Sequence, residues 1–124
     1  MTALDANVLT QLAADLSPAD LRFVVRTFDT DMQRLGAALA AAGQAGDAMG
    51  WRRAAHSIAG AAAAVGAMRV EQLAREAMER AAIDVAAAVA IQLAATVALT
   101  ELRNFTDPGG QADERARWMN ERVG

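Results

Sequence analysis

The chain has 124 residues and a formal net charge of −3, a length that suits one compact domain rather than two. It has no cysteine, which excludes disulfides, thiolate metal sites and cysteine nucleophiles. All twelve basic residues are arginine and they are dispersed, so no basic stripe for nucleic acid is visible.

The opening run MTALDANVLTQLAADL has no basic segment ahead of an apolar core and does not read as a secretory signal. Alanine dominates, both prolines fall outside helix interiors, and no alternating β-branched run occurs. The expected fold is all-α. A first helix fits residues 5 to 15, with Val8, Leu9 and Leu12 as its apolar face. In SPAD, Ser17 can cap a second helix, Pro18 suits its first position, and Asp20 complements the positive end of the dipole. From there Leu21, Val25, Phe28, Met32, Leu35, Leu39 and Ala42 recur in alternating steps of four and three, a seam for antiparallel packing.

GQAGD breaks that helix, and Asp47 is the candidate cap of a third, running to about Val65 with Trp51, Ala55, Ile58, Ala62 and Val65 inward. Gly66 ends it as a glycine after a C-cap does. A fourth helix near 68 to 82 is expected to turn Val70, Leu73 and Ala77 inward. Asp84 caps a fifth, expected to turn Val85, Val89, Leu93, Ala98 and Leu102 inward and to reach about Phe105. The region from 81 to 102 owes its apolarity mostly to alanine and is interrupted by Asp84, Gln92, Thr96, Thr100 and Glu101, so it reads as a bundle helix rather than a membrane span. TDPGG stops the fifth helix. The expectation is an antiparallel up-down four-helix bundle with a short accessory N-terminal helix over 1–106. Residues 107–124 form a charged tail, read either as a short helix or as disordered.

The single histidine lies in AAHSIAGAAAAVGA. At about 100° per residue, His56 points about 140° away from the centre of the Trp51–Val65 stripe, toward water. Arg52, Ala59, Gly60 and Ala63 fall within roughly 60° of it, and Arg53 about 60° to the other side. Gly60 inside a helix costs about 0.5–1 kcal/mol relative to alanine. Two explanations stand: it clears space beside the imidazole for a partner, or it lets a neighbouring helix approach. The histidine likewise reads either as an ordinary surface residue or as a nucleophile.

The stretch AAHSIAGAAAAVGAMRVEQLAREAME resembles the signature of histidine-containing phosphotransfer (HPt) domains. That signature has an aliphatic residue two after the histidine, lysine three after and glycine four after. A second glycine follows six later, and then a leucine-bearing helix. The matching residues are His56, Ile58, Ala59, Gly60, Gly66 and Leu73, with Ala59 where the family usually has lysine. FDTDMQRLGAAL and AGQAGDAMGWRRAAH resemble the helix and turn that precede the signature, and the similarity covers roughly 5 to 105.

The resemblance implies that His56 accepts a phosphoryl group from an aspartyl phosphate on a response-regulator receiver domain and passes it to another receiver, one of them belonging to a hybrid histidine kinase. It implies a phosphoryl carrier without a kinase site of its own, a monomer in the cytoplasm with neither membrane nor nucleic acid as partner. Magnesium belongs to the receiver, so no metal and no cofactor is expected here. Arg52 and Arg53 are the candidates to neutralise the phosphoryl charge in the lysine's place. Ala59, Gly60 and Ala63 are expected to leave clearance for the receiver, with Asp31 and Arg34 flanking the docking face. The alternatives are a non-transferring adaptor that binds or sequesters a receiver, and a plain structural bundle.

Overall fold

The computed structural model describes residues 4–80 and 82–106, so the tail from 107 to 124 lies outside the described residues. Five helices follow in order: α1 (Ala6–Asp15), α2 (Pro18–Ala45), α3 (Ala48–Ala64), α4 (Met68–Glu79) and α5 (Val85–Thr106). No strand occurs among the described residues. Each long helix packs antiparallel on the next, and α5 closes the ring against α2, while α1 lies across the end of the bundle. α3 and α5 each pack on α2 and α4, so they stand at diagonal corners.

The boundaries follow local chemistry. The Ser17 hydroxyl accepts the Asp20 N–H at 3.1 Å, and a carboxylate oxygen of Asp47 accepts the Gly50 N–H at 3.0 Å. Asp84 accepts the Ala86 N–H at 3.0 Å at the start of α5. Each of these bonds satisfies a donor that the first helical turn leaves unpaired. Gly46 and Gly66 end α2 and α3 in the left-handed region, with φ of 67° and 70°.

The seam of α2 is buried in full, from Leu21 through Ala42. Trp51, Ala55, Ile58, Ala62 and Val65 are buried beneath α3, as their spacing requires. Burying one large aliphatic side chain contributes about 1.5–3 kcal/mol. The Trp51 indole donates to the Ala77 carbonyl at 3.2 Å, which pins α3 to α4 without leaving a polar atom unpaired. α1 is held by buried Leu9 and by the Asp5 N–H, which donates to the Gly66 carbonyl at 2.7 Å.

Two expectations fail in detail. α4 stops at Glu79, and Ala74 is fully buried while Leu73 is only half-buried. In α5 the rotation is wrong: Val85, Val89 and Leu93 face outward, and Ala88, Ile91, Ala95, Ala98 and Leu102 form the buried face. The buried set keeps strict steps of three and four. The valines and Leu93 are spaced by four alone, and that spacing winds about 40° around the helix at each step.

Candidate functional site

α3 carries the site on the side away from its buried stripe. His56 is exposed at mid-helix, one turn after exposed Arg52 and one before exposed Gly60. A side-chain carbon built at Gly60 meets nothing within 4 Å, so Gly60 is not a packing glycine and the surface beside the imidazole is open. The second motif glycine differs. At Gly66 the positive φ already disfavours other residues, and an added carbon would lie 3.0 Å from Val8 Cβ and 3.3 Å from the Asp5 carbonyl. One glycine leaves a surface bare; the other lets α1 seat on the α3–α4 turn.

Ala59 does not share the open face. It is 1% exposed and belongs to the core. Its direction is about 60° from His56, but toward the α4 side, and a methyl group is short enough for α4 to cover. Ala63 is half-buried on the same flank. A lysine at position 59 would have to run its stem out from under α4 to reach water.

On the opposite flank, α2 and α3 leave a groove lined by Arg34, Ala38, Ala41, Gly50, Arg53 and Ser57. Arg34 is therefore level with Ser57, the residue after His56, as the short α2–α3 turn predicts. Asp31 lines the adjoining apolar groove with Phe23, Thr27, Ala61 and Ala64. Asp31 and Arg34 form an exposed ion pair at 3.5 Å, of a kind that contributes little and rearranges easily. Arg52, Arg53 and His56 have no hydrogen-bond or ion-pair partner among the described residues. Two cations and an imidazole thus stand uncommitted on one helix face. Phe23 and Ser57 were missed from the sequence. Phe23 is 61% exposed beside this face, and its one signal is that a phenylalanine falls off the α2 seam.

No group of three or more histidine, aspartate or glutamate side chains is placed to hold a metal among the described residues. A sequence model of the Hpt domain matches residues 21–105, which takes in all of α3 and α4 and nearly all of α2 and α5. The chain belongs to the Hpt family. Neither a curated protein nor a solved structure matches it. Membership assigns a phosphotransfer-type function in phosphorelays, the role of a phosphocarrier rather than an ordinary enzyme, with receiver domains as partners.

Proposed function

We propose that this Hpt domain is a phosphorelay intermediate in which His56 is the phosphoryl acceptor. The observation that carries the reading is the exposed imidazole of His56, the only histidine of the chain, one turn from an open Gly60. In the proposed reaction a neutral ring nitrogen attacks the phosphorus of a receiver aspartyl phosphate. The nitrogen–phosphorus bond forms, the phosphorus–oxygen bond breaks, and the aspartate leaves as carboxylate. The imidazole proton is released from the other ring nitrogen. A second receiver then takes the group by the reverse step. Positioning and charge neutralisation carry most of such a transfer.

In this reading Gly60 and Ala63 give the receiver clearance, and Asp31 and Arg34 contact it along the α2 flank. Arg52 and Arg53 supply the cation that Ala59 does not. Both are unpaired and about one turn from His56, so neither has to leave a partner to meet a phosphoryl oxygen. One copy carries the whole acceptor face, so the transfer unit is a monomer formed by residues 1–106. It acts in the cytoplasm between a hybrid kinase receiver and a downstream receiver.

The burial of Ala59 and the absence of any lysine favour a second reading, an adaptor that binds a receiver without accepting phosphate. Radiolabel transfer from phosphorylated receivers separates the two. Label on the wild type and none on His56→Gln supports the carrier. Receiver binding with no label on the wild type refutes it in favour of the adaptor.

A further inference from the structure

His56 does not point straight away from the core. On the α3 wheel it leans about 40° toward the flank on which Ala59 is buried and Ala63 half-buried, the flank that α4 covers. The outward residues of α4 therefore decide what a phosphoryl group on the imidazole meets from that side.

Two contacts fix the level of α4 along α3. At the turn the Ala67 N–H donates to the Ala62 carbonyl at 2.9 Å, and at the other end the Trp51 indole donates to the Ala77 carbonyl at 3.2 Å. His56 lies about half-way between Trp51 and Ala62. On antiparallel α4 the half-way point between Ala67 and Ala77 falls between Glu71 and Arg75. Rotation brings the same two residues to the facing flank. α2 and α4 run the same way at opposite corners of the ring, so the turn that leads from the core to α5 on α2 leads from the core to α3 on α4. On α2 that turn reaches Asp29 and Gln33, which line the groove against α5. From buried Val70, Ala74 and Ala77 it reaches Glu71, Arg75 and Met78.

We infer that Arg75 contacts the phosphoryl group on His56, supplying from α4 the charge that Ala59 does not supply from α3. The inference rests on His56 being the acceptor. The guanidinium holds the Glu71 carboxylate through Nε at 2.9 Å and Nη2 at 2.7 Å, which draws it back along α4 to the level of His56. The Arg75 side chain is 50% exposed, and an exposed ion pair of this kind exchanges partners at little cost. A phosphoryl group brings more negative charge and more acceptor oxygens than one carboxylate, so it wins the guanidinium fork. Packed helices stand about 8–10 Å apart, a gap that an arginine and the phosphoryl group close together. Arg52 lies on the same flank of α3, so the two arginines bracket the group from two helices. Glu71 both holds Arg75 ready and competes for it. The two halves of the pair then act on the phosphohistidine in opposite directions, which a purely structural ion pair does not do.

The test uses the full chain phosphorylated with phosphoramidate, whose phosphoryl group passes to a His56 ring nitrogen with release of ammonia. Phosphorus NMR follows the phosphohistidine over time. Arg75→Gln is expected to shorten its lifetime several-fold and to move its resonance, and Arg75→Lys to restore part of both. Glu71→Gln is expected to lengthen the lifetime about twofold or more, with melting unchanged, because an exposed pair adds little to stability. Shortening by both Arg75→Gln and Glu71→Gln makes the pair a structural brace and overturns the inference. So does an unchanged lifetime and resonance in Arg75→Gln. If Arg75→Gln melts early, Glu71→Gln decides, since it keeps the arginine: a longer lifetime supports the contact, and an equal or shorter one overturns it. A wild type that takes no phosphoryl group, or takes it equally as His56→Gln, overturns the acceptor reading and this inference with it.

Discussion

The two diagonal helices turn opposite kinds of surface to water. The outward face of α3 is made of an imidazole, two arginines, a glycine and small residues, and nothing fills the space beside His56. The outward face of α5 is aliphatic and uncharged. Both helices are rich in alanine and both bury an ordinary stripe. Function therefore cannot be read from how apolar a helix is, only from which residues are left over once the core is served.

The largest effect should come from the imidazole itself. His56→Gln is expected to abolish phosphoryl acceptance in a radiolabel assay while shifting unfolding free energy by less than about 0.5 kcal/mol, as for other exposed substitutions. Unfolding of this variant would break the contrast at its root.

The two glycines come next. Gly60→Gln should cut transfer at least tenfold with melting unchanged, because its side chain fills the open surface one turn from His56. Gly66→Ala should instead destabilise the fold by about 1–3 kcal/mol, through its left-handed backbone and the neighbouring Val8. Transfer rates and thermal melts measured on both variants separate the roles.

Within α5, Ile91→Ala should cost about 2–5 kcal/mol, as deletion of a core aliphatic does. Leu93→Ala should change the monomer by less than about 0.5 kcal/mol. Denaturant titration at low micromolar concentration reads both. Equal costs would mean that α5 is rotated from the placement described.

That helix also shows where sequence reasoning stops. The α2 seam was legible because its inward positions hold the large residues and the spacing agrees with them. In α5 the two signals disagree. Alanines occupy three of the five inward positions and valines the outward ones, so side-chain size pointed to the wrong face while the three-four spacing pointed to the right one. Ala59 failed for a related reason: a helical wheel gives a direction but not which neighbouring helix covers it. His56 and Gly60 were legible because they lie far from any packed direction on α3. The open space at Gly60 needed the structure, since it depends on what the other helices leave uncovered.

The smallest effect concerns the arginines. Arg52→Ala and Arg53→Ala should each slow transfer or shorten the phosphohistidine lifetime by a few-fold at most, and the double variant several-fold, since exposed cations are partly screened. Ala59→Lys in the double background should restore part of the loss only if the lysine stem escapes from under α4. An unchanged double variant would remove both arginines from the proposed mechanism.

Ring closure by α5 has a kinetic consequence. Every other helix pair in the bundle joins neighbours in the chain, but Arg103 reaches Asp29 across 74 residues, at 2.9 Å. The hairpins of α2 with α3 and of α3 with α4 close small loops and can form first. The helix that carries His56 is the middle member of that early unit. Transient release of α5 exposes the far side of the bundle first, leaving both flanks of α3 packed. Backbone amides around His56 should then exchange with solvent more slowly than those of α5.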